Sequence, residues 1–262
     1  MVGVTFLPMS ADPRRALATH GVVNAVCAGP VRALRSPRAP GDASTAWRSA
    51  ILKELLEAPV HVGTLGLRGD AQKETKHHGG PVKAVLIYGA VHYARWLPLL
   101  EAHAAAHRDA LQGMSPAFDA SRVGFGAFGE NLTVDGLDEH RVCIGDVWSV
   151  GGCVLRITEP RAPCSTLTRR WMRPALLDEV KTTAAAGWYN AVVEEGAVTV
   201  GDRVSLVERL PDAWTIARVF HVEQARVASR AEVQALHDAE FTPPNLRAAM
   251  ARRLETPARL RE

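Results

Sequence analysis

Val142-Cys-Ile-Gly-Asp-Val-Trp-Ser149 returns later in the chain as Val198-Thr-Val-Gly-Asp-Arg-Val-Ser205. Each copy reads apolar, any, apolar, Gly-Asp, any, apolar, Ser: a tight turn or kink at Gly-Asp that feeds a strand. Glycine inside a strand pattern marks a bend, so the pair predicts a curved sheet or a barrel with glycine kinks at its corners. Two copies are too few for a repeat architecture. Gly151-Gly152 follows the first copy as a two-residue hairpin loop, where positive φ is wanted. Cys153 to Thr158 then alternates as a strand.

Outward from this core, Gly21 to Val31 predicts a first strand ending at Gly29-Pro30, after an extension over 1–20 whose sequence reads as disordered. Residues 35–45, with Pro37, Pro40 and Gly41-Asp42, read as a loop. The stretch from Trp47 to Leu56 fits a short helix or an irregular edge. Pro59 to Leu67 and Lys83 to Tyr88 read as strands, and Val91 to Leu111 as a helix kinked at Pro98. Residues 113–127 read as a loop, and Phe128 to Leu132 leads into a strand that turns at Asp135-Gly136. A helix over 170–186 and a strand near 190–194 follow. After Pro211 the pattern is all-helical, with Asp212 as a cap, Ser229 and Glu232 as a capping box, and Thr242-Pro243 as cap and first turn. The residues thus read as a mixed α+β chain: a curved sheet or barrel over 21–209 and a three-helix module over 212–262.

Composition excludes several classes. No segment approaches the ~18 consecutive apolar residues of a membrane span, and a net charge of +3 is too small to argue for nucleic acid. The start of the chain lacks the basic region of a secretory signal. The four cysteines have no CxxC spacing, which fits a reduced, cytoplasmic protein.

Chemistry concentrates in Ile157-Thr-Glu-Pro-Arg-Ala-Pro-Cys-Ser-Thr-Leu-Thr168. Pro160 and Pro163 stop the strand, leaving Cys164 on a stiffened loop. Arg161, Arg169, Arg170 and Arg173 surround it, with Glu159 the one acid between 159 and 173. Nearby guanidinium charge favours thiolate, both the nucleophile and the soft metal ligand. The plain alternative is a small buried hydrophobe at a strand end.

Five motifs carry a resemblance to a known family: Gly69-Asp70, His78-Gly79-Gly80-Pro81, Phe128-Gly129-Glu130-Asn131-Leu132, Gly145-Asp146 and Pro160-Arg161-x-Pro163-Cys164. In this order and spacing the chain is similar to MOSC-domain proteins, in particular the YiiM-type branch, which carries a three-helix extension. The resemblance covers about residues 20–262. It implies a molybdenum cofactor (molybdenum with molybdopterin) on a distorted β-barrel, Cys164 as metal ligand, and reduction of N-hydroxylated compounds such as amidoximes and hydroxylaminopurines. Gly129 and Ser165 are further expected cofactor contacts. One departure stands out: Ser165-Thr166-Leu167-Thr168 replaces a run resembling Tyr-Lys-Leu-Asn, which bears on substrate range.

Several residues gain roles beside that resemblance. His78 can hydrogen-bond the cofactor or deliver a proton to substrate, or can simply stabilise its turn. Gly79 and Gly80 let backbone approach a flat ligand. Lys76 suits a phosphate or solvent, and His77 solvent. Glu130 and Asn131 can face pterin edges or cap the turn. Arg161, with Arg169, Arg170 or Arg173, is the expected phosphate site, with Arg161 foremost. His103 and His107 have the spacing of a zinc pair but no third ligand, and read as a solvated face. Pyridoxal phosphate is not expected. No flavin, haem or iron–sulfur pattern appears, so electrons are expected from a separate reductase. Monomer and homodimer both fit; a non-catalytic cofactor carrier and a cysteine hydrolase are the competing readings.

Overall fold

The computed structural model describes residues 17–36, 42–43, 45–74, 78–106, 124–225, 227–256 and 260–261. In chain order the strands begin with β1 (His20–Ala28), β2 (Arg32–Ser36), β3 (Thr45–Ser49), β4 (Glu54–Leu55), β5 (Val60–Gly63), β6 (Gly66–Leu67) and β7 (Val85–Gly89). They continue with β8 (Leu132–Asp135), β9 (Val147–Val150), β10 (Cys153–Pro160), β11 (Trp188–Glu194), β12 (Gly196–Val198) and β13 (Arg203–Glu208). Seven of them pair in the order β13-β9-β10-β11-β7-β8-β1, and β1 pairs back with β13, which closes the barrel. Every pairing in this ring is antiparallel except β7 with β8.

The Gly-Asp echo is a shared turn. Gly145 and Gly201 both have positive φ, 83° and 88°. In each copy the aspartate accepts from a backbone N–H three residues back: Cys143 N to Asp146 Oδ2 and Thr199 N to Asp202 Oδ2, both 2.8 Å. Gly151-Gly152 closes the β9–β10 hairpin, with Val150 opposite Cys153.

Val85, Ile87, Leu132, Val134, Leu155, Ile157 and Trp188 fill the barrel in one continuous cluster with Ile216, Val219, Leu236 and Met250 of the C-terminal helices. A second cluster, around Tyr88, Tyr93, Trp96, Phe128 and Trp171, seats the helix Tyr93–Ala106. No helix among the described residues is long and apolar enough to cross a membrane.

Several local expectations change. The undecided stretch 47–56 is an irregular edge: β3 ends at Ser49 and β4 holds two residues. Residues 32–36 and 45–49, partly expected as loop, form the β2–β3 hairpin. Pro59 to Leu67 is a small hairpin of β5 and β6 rather than one strand. The helix expected over 170–186 is two, Ser165–Trp171 and Ala175–Thr183. Met172 is left-handed at φ 46°, and Pro174 disfavours helix at Arg173 before it.

At the C-terminus the helices Ile216–Gln224, Arg230–Asp238 and Pro244–Leu254 form as expected, with different caps. Thr215, not Asp212, accepts from Arg218 N. Ser229 does cap, accepting from Glu232 N at 3.4 Å. Thr242 gives its hydroxyl to Leu236 O, and the last helix starts after Pro243. The helix expected to run to Leu111 is described to Ala106; 107–123, with His107 and most of the expected 113–127 loop, lie outside the described residues, as do 1–16. The end of the N-terminal extension is pinned: Ala18 N donates to Arg141 O at 2.8 Å, and Leu206 N to Thr19 O at 2.9 Å.

Candidate active site

β10 delivers the site. It ends at Pro160, and Arg161 N donates to Gly187 O at 2.9 Å, which turns the chain off the barrel. Cys164 follows in extended geometry as the cap of the helix Ser165–Trp171. Burial alone would push its thiol up. The His78 hydrogen bond, the Arg161 charge and the Thr166 hydroxyl and amide together outweigh burial and bring it down to about 6. The other cysteines go the opposite way: burial pushes Cys143 and Cys153 up to about 11, and Cys27 further. Among the described residues Cys164 is thus the cysteine prepared as thiolate.

The thiol lines a cavity of about 500 Å³. Its wall brings together the predicted residues Cys164, His78, Arg161, Gly79, Gly129, Asn131 and Ser165. His78 Nδ1 lies 3.1 Å from the Tyr189 hydroxyl. Burial, with the Cys164 and Glu159 charges, pushes that phenol up to about 12 against the lowering effect of Arg161, so it stays protonated. Arg161 is 4% exposed, and its Nε is buried without a hydrogen-bond partner among the described residues. Gly79 has φ 89°, and a Cβ there would meet Gln72 Oε1 at 2.7 Å, so the turn that aims His78 needs glycine.

Other predicted residues are placed elsewhere or otherwise engaged. Gly80 is not on the cavity wall; it precedes the 3-10 turn Pro81–Lys83. Glu130 is fully buried beneath the wall and accepts from Gly126 N, Phe128 N, Thr133 Oγ1 and the Tyr93 hydroxyl, so the turn-capping role is the one the geometry displays. Asn131 reaches the wall, but its amide accepts from Leu86 N and donates to Cys27 O and Asp70 Oδ2. Lys76 and His77 lie outside the described residues.

The arginine cluster divides. Arg170 is buried and donates to Ile51 O and Gly126 O; Arg173 pairs with Glu179 at 2.5 Å. Arg169 lines the cavity but fastens the β2–β3 hairpin, donating to Ser36 O and to Thr45 O at 3.1 and 2.9 Å. Of these four, Arg161 and Arg169 are on the cavity wall, and the Arg161 charge is the one that acts on Cys164.

Sequence reasoning missed Tyr189, Lys53 and Trp47. Tyr189 carries no motif; its position follows only from the register that sets it opposite Glu159. Lys53 forms a buried ion pair with Asp70, whose Oδ1 also accepts from Gly29 N. Asp70 stood in the Gly69-Asp70 motif, a signal that could have been followed to its partner.

A molybdenum–pterin group needs a soft anionic donor at one end and cationic or donor groups for its phosphate at the other. A depressed thiol beside a buried guanidinium with an unused N–H fits both needs.

A family model described as MOSC domain matches residues 74–205. The chain is 35% identical over 161 residues to "Uncharacterized protein YflK" of Bacillus subtilis, covering 62% of this chain and 64% of that one. It is 33% identical over 182 residues to a Gibberella moniliformis protein named "Reductase", covering 69% of this chain and 29% of that protein. The match thus spans less than two thirds of either relative. Among solved structures, YiiM from Geobacillus stearothermophilus superposes with a TM-score of 0.64 at 25% identity, covering 90% of this chain and 99% of the other.

Proposed function

Because the chain belongs to the MOSC-domain family, we propose that it is a molybdenum-cofactor-dependent oxidoreductase that reduces N-hydroxylated compounds. The observation that carries the reading is the depressed Cys164 thiol facing a cavity beside buried Arg161. A relative named "Reductase" supports the reaction class. Amidoximes and hydroxylaminopurine-like bases are the proposed substrates, taken up as small molecules without nucleic acid or membrane partners.

The conversion of N–OH to N–H with release of water consumes two electrons and two protons. When bound, the cofactor supplies the electron-transfer chemistry, and a separate reductase supplies the electrons. The chain's own residues do the rest. Cys164 holds the metal as thiolate, and Arg161 takes the phosphate through its guanidinium. Gly79 and Gly129 bring backbone close to a flat ligand without side-chain obstruction. His78, aimed at Cys164 and backed by the protonated Tyr189, is placed to hand a proton to the departing oxygen. Ser165, next to the thiolate on the cavity wall, is a further contact for the cofactor.

The test supplies cofactor-loaded protein with a chemical electron donor and an amidoxime or a hydroxylaminopurine. Reduction that disappears in Cys164→Ala supports the proposal. Protein that retains cofactor yet reduces none of several such substrates contradicts it and favours a carrier role.

A further inference from the structure

The helix Pro244–Leu254 reaches the cavity through one polar chain. Asn245 Nδ2 donates to Glu159 Oε2 at 2.5 Å, on β10 shortly before Cys164. The other oxygen of Glu159 takes Lys83 Nζ at 2.5 Å. Lys83 Nζ in turn lies 5.4 Å from the centroid of the Tyr189 ring, whose hydroxyl meets His78 Nδ1 at 3.1 Å. Lys83, Tyr189 and His78 line the cavity; Glu159 and Asn245 stand behind it. The backbone follows the same route. Glu159 is opposite Tyr189 in the β10–β11 ladder, and Thr158 Oγ1 lies 2.5 Å from Val82 O and 3.1 Å from Tyr189 O.

A lysine on its four-carbon stem does not hold one place unaided. Here a carboxylate with both oxygens engaged fixes the ammonium, and the ammonium sits near the ring of the tyrosine that contacts His78. Without the Asn245 amide, Glu159 Oε2 has lost its donor in a half-buried setting. The carboxylate can then turn, and Lys83 with it.

We propose that Asn245 and Glu159 are positioning residues: through Lys83 and Tyr189 they set the placement of the His78 ring. The C-terminal helices then belong to the catalytic apparatus. This inference deepens the reductase reading of the cavity and rests on it.

The discriminating variant is Asn245→Asp. It keeps the shape of the side chain but sets a carboxylate against Glu159, so a packing role would tolerate it and a positioning role would not. In cofactor-loaded protein, kcat should fall roughly three- to tenfold, the cost of one hydrogen bond, with KM and cofactor content unchanged. In metal-free protein, the isotope-labelled ring signals of His78 and Tyr189 should shift in both Asn245→Asp and Lys83→Met. The double variant should move them no further than Lys83→Met alone, since the two act as one unit. Asn245→Ser, too short to reach Glu159, repeats the test should the aspartate variant fold poorly. Ring signals unchanged in these variants would overturn the proposal, as would a loss of cofactor matching the loss of rate. If the wild-type protein reduces no N-hydroxylated compound, the reductase reading fails by itself, and the ring signals still decide whether the chain of contacts works.

Discussion

At the scale of single residues, the contrast among four cysteines is the sharpest chemical signal. Burial pushes Cys27, Cys143 and Cys153 up, while Cys164 is brought to about 6 by His78, Arg161 and Thr166. In metal-free protein, alkylation followed by mass spectrometry should therefore rise with pH to a half-maximal rate near pH 6 at Cys164, with the other three unreactive. A profile centred in the ordinary thiol range would contradict the assignment. Arg161→Ala should remove a charge-assisted contact and lower cofactor affinity about ten- to a hundredfold, read as depleted pterin in folded protein. Normal loading would move the phosphate elsewhere, with Lys76 next to test. Cys164 was legible because its cues are local: two prolines and a run of arginines. Arg161, read as the foremost arginine, does line the cavity beside Cys164, but where the other arginines go was not legible. Arg170 goes to the carbonyls of Ile51 and Gly126, far away in sequence, and nothing near Arg170 announces that.

Between elements, the buried pair His92–Glu139 ties the β7–helix junction to the loop that supports Arg161. His92 Nε2 and Glu139 Oε2 lie 2.6 Å apart, and Glu139 Oε1 accepts from Gly187 N at 2.6 Å. Gly187 O in turn accepts from Arg161 N. Burial opposes charge on both groups, yet mutual attraction raises His92 and, with the Gly187 hydrogen bond, lowers Glu139. Glu139's contribution is present above its ordinary 4.5 and lost as pH falls through its depressed folded value. That of His92 is complete below its ordinary 6.5 and lost as pH rises through its elevated folded value. The pair therefore stabilises most between about pH 4.5 and 6.5. Glu139→Gln should cost about 3–5 kcal/mol in that window in denaturant titrations, and less on either side. A cost independent of pH would contradict the pairing. At this scale the Gly-Asp turns were legible, being closed within a few residues. The helix break at Met172 could have been read from Pro174.

Across the whole molecule, the barrel was legible from its glycine corners, but which strands close it and the core it shares with the helices were not. The pairing of β1 with β13 joins distant segments whose alternation says nothing of their partner. The change to helices after Pro211 was visible, but the packing of Ile216, Val219, Leu236 and Met250 into the barrel's own cluster was not. Backbone bonds join the two regions as well: Ile144 N donates to Trp214 O and Ile216 N to Val142 O. Calorimetry should show one cooperative unfolding transition, and a chain ending at Pro211 should expose that apolar surface and aggregate. Two resolved transitions would contradict a common core.

The central claim, that Cys164 anchors a molybdenum cofactor, is tested most directly by metal and pterin analysis of protein purified from a cofactor-competent host. The account predicts molybdenum and pterin in equal amounts, with the metal lost in Cys164→Ala. Protein fully loaded with zinc and free of molybdenum and pterin would contradict it.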